Sequence, residues 1–306
     1  MELEVVSKFV FCFCWWLWRN VSAPTGWSGK NLLLCPPRAN EREKDMKKIM
    51  LIAAAAAGFV AIADGVASGI VGYNQVTLKP GWNMLAVNYD ATADDNGIAL
   101  QDLFPGEANG LKGGTNTGSA DYLNVWENGD YTTYFLYYTT KGGNTSKNWK
   151  WVNGSGVITD VKFKSGKAFW YYSRNDSDKA LSIAGAVPVQ VSDSIAITAG
   201  WNMIGNIFTS GLDLNAKGVE YWSGTGAKGG TNTGSADYLN VWENGDYTTY
   251  FLYYTTKGGN TSKNWKWVNG SGVPASAAQV GLGGGTWYYH RGTGFDLSID
   301  RPYTVE

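Results

Sequence analysis

Lys112–Val157 reads KGGTNTGSADYLNVWENGDYTTYFLYYTTKGGNTSKNWKWVNGSGV, and Lys228–Val273 reads the same, residue for residue, over 46 positions. Inside this block, Tyr122–Trp126 and Tyr131–Thr140 are aromatic and β-branched runs joined by Glu127-Asn128-Gly129-Asp130. Asn-Gly between two such runs is a strong hairpin signal, because both residues accept the positive φ of a type I′ turn; Asn244-Gly245 repeats it. Along Tyr131–Thr140 both alternating sets are apolar: Tyr131, Thr133, Phe135 and Tyr137 on one face, Tyr134, Leu136 and Tyr138 on the other. A strand apolar on both faces belongs in the middle of a sheet. At an edge, the same charge-free and proline-free window would invite strand addition between molecules, as in a surface fibre or layer.

The repetition extends outward from the block. Gly81-Trp82-Asn83-Met84 recurs as Gly200-Trp201-Asn202-Met203, Trp170-Tyr171-Tyr172 as Trp287-Tyr288-Tyr289, and Leu181-Ser182-Ile183 as Leu297-Ser298-Ile299, at offsets of 119, 117 and 116 residues. Such a period is the size of a whole domain, too long for a solenoid or propeller repeat. The identity stops sharply, at Leu111 against Ala227 and at Ile158 against Pro274, as recombination between the copies or a sequence-assembly error would leave it. Further strands are expected at Val71–Leu78, Trp82–Asn88, Trp149–Asn153, Val157–Phe163, Ala168–Ser173 and Ala180–Ala184. The one expected helical turn is Ala99–Phe104, stopped by Pro105. The fold class is therefore all-β: two tandem β-sandwich or barrel-like modules related by internal duplication, 68–188 and 189–306.

Leu78-Lys-Pro-Gly-Trp-Asn-Met-Leu85, a later Trp-bearing hairpin, Ser165-Gly-Lys-Ala-Phe-Trp-Tyr-Tyr172 and the closing Leu181-Ser-Ile-Ala-Gly185 resemble the "GWN" β-sandwich modules of secreted bacterial and archaeal surface proteins. Thr198-Ala-Gly-Trp-Asn-Met-Ile204 and Gly284-Gly-Thr-Trp-Tyr-Tyr289 fit the same pattern. The resemblance covers nearly all of 71–306 through short motifs. It implies an extracellular β module and no particular activity.

The N-terminal part is of another kind. Met46-Lys47-Lys48 precedes an apolar run from Ile49 to Ala63, followed by the small-residue sites Ala61-Ile62-Ala63 and Gly65-Val66-Ala67. That is the order of a secretory signal peptide, so 46–67 reads as the signal segment and 1–45 as an upstream extension from a misassigned start codon. The competing reading, a membrane anchor over 49–71, is interrupted by Asp64 and falls short of the roughly 20 apolar residues a spanning helix needs. No membrane span is expected in the mature chain. Cys12, Cys14 and Cys35 all lie upstream, so a chain starting near Asp64 or Ser68 holds no cysteine and relies on its core.

Composition narrows the function further. A net charge of −1 gives no footprint for nucleic acid. With His290 the only histidine and no cysteine in the mature part, zinc and other soft-metal sites and a duplicated Ser-His-Asp triad are not expected. Asp94-Asp95-Asn96 and Asn175-Asp176-Ser177-Asp178 offer oxygen ligands without the spacing of a calcium loop, and read as turns. No metal and no cofactor is expected. Asp121, Glu127 and Asp130, with their copies Asp237, Glu243 and Asp246, are the carboxylates from which a glycosidase pair would have to come. Trp149 and Trp151 alternate around Lys150, as Trp265 and Trp267 do around Lys266. On a strand each pair shares one face, about 7 Å apart, and if exposed would stack on sugar rings. The competing role is core filling, to which Trp82, Trp170, Trp201 and Trp287 are also assigned. The reading that results is a secreted, non-enzymatic structural or adhesive protein of the cell surface or extracellular matrix. Its expected partners are a polysaccharide or further copies joined through β edges. The alternatives are a carbohydrate-binding protein using Trp149, Trp151, Trp265 and Trp267, and, behind it, a glycan-active hydrolase.

Overall fold

The computed structural model describes residues 70–305, apart from 92–95, 143, 259 and 276–278. The upstream extension 1–45, the signal segment 46–67 and the Asp94-Asp95 turn therefore lie outside the described residues. The first module runs through β1 (Val71–Leu78), β2 (Gly81–Ala86), β3 (Ile98–Ala99), α1 (Leu100–Leu103), β4 (Tyr122–Glu127), β5 (Asp130–Tyr137), β6 (Lys150–Asn153), β7 (Lys162–Phe163), β8 (Ala168–Ser173) and β9 (Lys179–Ala186). The second repeats it with β10 (Ser192–Ile197), β11 (Gly200–Gly205), β12 (Leu212–Asp213), α2 (Gly218–Gly224), β13 (Tyr238–Glu243), β14 (Asp246–Tyr253), β15 (Lys266–Asn269), β16 (Gln279–Val280), β17 (Gly285–His290) and β18 (Phe295–Asp300).

Each module holds a five-stranded antiparallel sheet, ordered β2-β8-β4-β5-β6 in the first and β11-β17-β13-β14-β15 in the second. Facing it is a two-stranded ribbon, β1-β9 or β10-β18. Leu78, Leu181 and Ile183 of the first ribbon, Leu100, Leu103 and Phe104 of the α1 region, and Leu85, Leu123, Leu136, Trp151 and Tyr171 of the sheet close one sandwich-like core. The strand expected to be central is central: β5 pairs with β4 on one side and β6 on the other. The hairpin turn has positive φ at both residues, 53° at Asn128 and 85° at Gly129, as type I′ requires. Nothing lies within 4 Å of a Cβ built on Gly129. Gly129→Ala is thus expected to cost only the left-handed backbone penalty, about 1–2 kcal/mol, read as a lower urea midpoint with unchanged slope.

Three expectations are corrected. The strand expected over 157–163 is reduced to Lys162–Phe163. The second module carries a longer helix than the first, α2, whose Trp222 is wholly buried. Trp82 and Trp201, assigned to the core, are 39% and 38% exposed on the sheet face turned away from each module's own core. They share that face with Met84 and Met203, because side chains two apart on a strand point the same way.

The two modules meet through those faces. Met84, Ala86, Ala168 and Trp170 of the first module and Met203 and Trp287 of the second form a separate buried cluster, flanked by Trp126 and Trp242. The contact is reciprocal: Trp126 Nε1 donates to Trp201 O at 3.2 Å and Trp242 Nε1 to Trp82 O at 3.3 Å. The backbones approach so closely that a Cβ on Gly205 would sit 2.2 Å from Ala86 Cβ. Main-chain bonds cross the junction, Ala86 N to Gly283 O at 2.8 Å and Gly205 N to Gly166 O at 2.9 Å. Asn88, buried, donates to Asn206 O and accepts from Gly283 N.

Candidate functional site

The paired tryptophans differ in burial. Trp151 and Trp267 are 0% exposed, so neither offers a ring face to a sugar. Trp149 and Trp265 precede their strands with φ of 60°, in the left-handed region, and are partly buried. They pack against Tyr138 and Tyr254 with the rings tilted by 35° and their centroids 4.5 and 4.7 Å apart. Both rings of each pair pack against the same core, Trp149 beside the cluster that holds Trp151 and Trp265 beside the one that holds Trp267.

The identical blocks meet different surroundings. Trp151 N donates to Gln101 Oε1 at 2.9 Å, and Trp267 N to Asn215 Oδ1 at 2.8 Å, so a Gln in one flank and an Asn in the other play one role. The indoles differ: Trp151 Nε1 donates to Phe104 O at 2.8 Å, while Trp267 Nε1 is buried without a partner beside Trp222. Trp151→Phe is therefore expected to cost about 1–3 kcal/mol more than Trp267→Phe, because it orphans a buried carbonyl whereas the other removes an orphaned donor. Equal urea midpoints for the two variants would refute this.

The carboxylates are also divided. Asp121 and Asp237 are fully buried at the start of β4 and β13. Asp121 accepts from Lys112 N at 2.9 Å, Arg174 N at 2.5 Å and the Tyr171 hydroxyl at 3.1 Å. Burial pushes its carboxyl above the ordinary range, against the lowering effect of those donors. Glu127 and Asp130 stand exposed at the far end of the hairpin, roughly 20 Å away by strand rise, too far for either to pair with Asp121 as a glycosidase acid and base. Glu127 is held by Lys167 at 2.9 Å.

His290 joins Asp237. Its Nδ1 lies 2.8 Å from Asp237 Oδ2, while Nε2 accepts from Gly294 N at 3.2 Å, so Nδ1 is the nitrogen that donates to the carboxylate. Both ring nitrogens are used inside the core, and the first module has Ser173 in this place. Tyr288 donates to the same carboxylate at 3.1 Å, as Tyr171 does to Asp121. Burial, reinforced by the adjacent carboxylate, pushes both phenols well above their ordinary value. Their contribution to stability is fully present below the unfolded phenol pKa, about 10, and is lost as pH rises toward the folded values. Alkaline titration followed by phenolate absorbance is expected to show a tyrosine fraction that ionises only together with unfolding; ionisation of every tyrosine before unfolding would contradict it.

The accessible chemistry lies on two aromatic ladders. In one, Tyr131, Trp126, Trp287 and Trp201 touch in sequence with ring centroids 5.0, 5.4 and 5.6 Å apart, ending on Tyr289 and Tyr238 under the Arg291 guanidinium. The other runs from Tyr247 through Trp242, Trp170 and Trp82 to Tyr172 and Tyr122 beneath Arg174. Each ladder draws residues from both modules. Beside the first, a groove of about 730 Å³ runs between the modules, walled by Trp126 and Trp201 and edged by Asn128, Lys167, Thr198 and Asn202. Such a surface presents π-faces, amides and cations to a ligand. Alternation along Tyr122, Asn124 and Trp126 puts Trp126 on the same face as Tyr122, but no local signal tells that this face meets a second module. Among the described residues no cluster of three His, Cys, Asp or Glu is placed to hold a metal, and no helix is long and apolar enough to cross a membrane. No protein-family model, curated protein or solved structure matches this chain.

Proposed function

We propose that this chain is a secreted, non-enzymatic protein of a bacterial cell surface or extracellular matrix, with a structural or adhesive role. The observation that carries the reading is the duplicated body, which presents the same Trp-Tyr-Tyr-Arg cluster twice, an exposed Trp82 with half-buried Tyr172, Tyr122 and Arg174 and an exposed Trp201 with half-buried Tyr289, Tyr238 and Arg291. Two equal sites on one body favour attachment to a repetitive partner, since the second contact forms at high effective concentration. A polysaccharide is one such partner and further copies of the chain are another. The signal-like segment 46–67 supports export. Expression in a bacterium followed by fractionation tests this: the chain is expected outside the cytoplasm with its N-terminus near Asp64 or Ser68. A cytoplasmic chain whose peptides include Cys12 or Cys35 would overturn it.

A carbohydrate-binding reading is favoured by the exposure of Trp82 and Trp201 rather than by the tryptophan pairs at 149/151 and 265/267. A polysaccharide array checks it. Retention should fall in the Trp82→Ala/Trp201→Ala double variant, and no retention of the parent on any glycan would refute it.

A further inference from the structure

The Trp-Tyr-Tyr-Arg clusters of the two modules are alike, but the clefts beside them are not. The identical blocks give each cleft the same wall, Trp126-Glu127-Asn128-Gly129 in one and Trp242-Glu243-Asn244-Gly245 in the other. The facing residues come from the flanks, where the sequences differ. Lys79, three residues before Trp82, corresponds to Thr198, three before Trp201. Their backbones are held alike, Lys79 N donating to Asn83 Oδ1 at 2.9 Å and Thr198 N to Asn202 Oδ1 at 2.8 Å. Lys167 corresponds to Gly284, since the bridges Lys167–Ile204 and Leu85–Gly284 mirror one another.

These exchanges fill one cleft and leave the other open. Beside Trp82, the Lys79 ammonium reaches across and donates to Asn244 Oδ1 at 2.9 Å. Beside Trp201, the Thr198 hydroxyl turns back to Asn202 Oδ1 at 3.0 Å. Lys167 there lies along its own wall, donating to Trp126 O at 3.1 Å and to Glu127 Oε1 at 2.9 Å. Among the described residues the Asn128 side chain has no hydrogen-bond partner. The groove of about 730 Å³ is this open cleft, within the size range of ligand sites.

We propose that the cleft walled by Trp126 and Trp201 binds a neutral glycan of gluco-configured rings. Such rings carry C–H bonds on two flat faces, which pack on the negative π-face of an indole. Their hydroxyls stand around the rim and both donate and accept. Asn128 offers an unused amide with both functions, and Lys167 a third N–H beyond the two already engaged. The charges at the groove balance, Lys167 against Glu127 and Lys164 against Asp193 in the adjoining hollow, so an acidic chain gains no preference. This deepens the carbohydrate-binding reading and rests on it.

Isothermal titration of the full-length chain with cellohexaose and with chitohexaose tests the proposal. At least one is expected to bind, at one site per chain. Thr198→Lys copies the Lys79 arrangement and should raise Kd at least about tenfold, because the new ammonium takes Asn128 from the ligand. The opposite exchange, Lys79→Thr, should not weaken binding. Asn128→Gly keeps the positive φ of the turn and removes only the amide, so Kd should rise about three- to tenfold; Asn244→Gly should leave it unchanged. All of these positions are exposed, so folding is retained. Undiminished binding by Thr198→Lys, equal weakening by Asn128→Gly and Asn244→Gly, or two equal sites per chain would overturn the assignment. So would binding of a proline-rich peptide in place of both glycans, or of neither probe. The carbohydrate reading itself falls only if no glycan on the array retains the parent chain.

Discussion

Alanine in place of Trp287 is expected to lower the unfolding free energy by about 3–5 kcal/mol, the range for emptying a buried Trp site. Trp287 is 7% exposed and sits at the centre of the cluster between the modules. Its ring meets Trp126 at 5.4 Å, Trp201 at 5.6 Å and Tyr131 at 6.4 Å, each edge to face. The resulting cavity cannot collapse easily, because main-chain bonds on the rim, such as Ala86 N to Gly283 O, fix the spacing of the two sheets. Since the lost contacts join the modules, the single unfolding transition should also separate into two in calorimetry. Trp201→Ala is the comparison: that side chain is 38% exposed, so its loss should be clearly smaller and leave one transition. Equal losses for the two variants would show that Trp287 does not organise the junction.

Asp237→Ala should be comparably damaging, about 3–5 kcal/mol, as expected when one partner of a buried hydrogen-bonded pair is removed. Four donors converge on this carboxylate: the backbone N–H groups of Lys228 and Arg291, the Tyr288 hydroxyl and His290 Nδ1. The carboxylate and the imidazole are both sealed from solvent, so removing the carboxylate leaves the imidazole N–H without an acceptor. The same bonds tie the loop before β13 to the end of β17, so the variant loses a long-range clamp. His290→Ser keeps the carboxylate and three of its four donors, and should cost less, about 1–3 kcal/mol; the first module fills this place with Ser173 and with Asn175, whose Nδ2 reaches Asp121 at 3.4 Å. Urea denaturation followed by tryptophan fluorescence separates the two. A His290→Ser loss as large as that of Asp237→Ala would place the stabilisation in the histidine rather than in the carboxylate.

The hairpin, the central position of Tyr131–Thr140 and the duplication were legible because each rests on local chemistry. Asn128-Gly129 fixes its own turn, and two apolar faces demand neighbours on both sides. Trp82 and Trp201 were misplaced because they share a face with Met84 and Met203, and alternation cannot say how far along that face the second module reaches. Trp151 read either as a stacking residue or as core filling, because whether a strand face meets solvent is defined only once its sheet is placed against a second layer. The acceptors of the two identical blocks, Gln101 and Asn215, lie 52 residues or slightly fewer away in chain, in flanks that share no sequence pattern. No local signal links them.

By itself the sequence determined that this is an all-β protein of two like modules, because strand period, turn chemistry and repetition are properties of short stretches and need no partner. Tertiary structure decided the rest. It made one 46-residue block donate its indole N–H to a carbonyl in the first module and bury the same group unpaired in the second. It turned Trp170 and Trp287 into the joint between modules. Each of these depends on what stands opposite a side chain or a strand edge. That is set by residues far away in the chain, through packing that a single segment cannot encode.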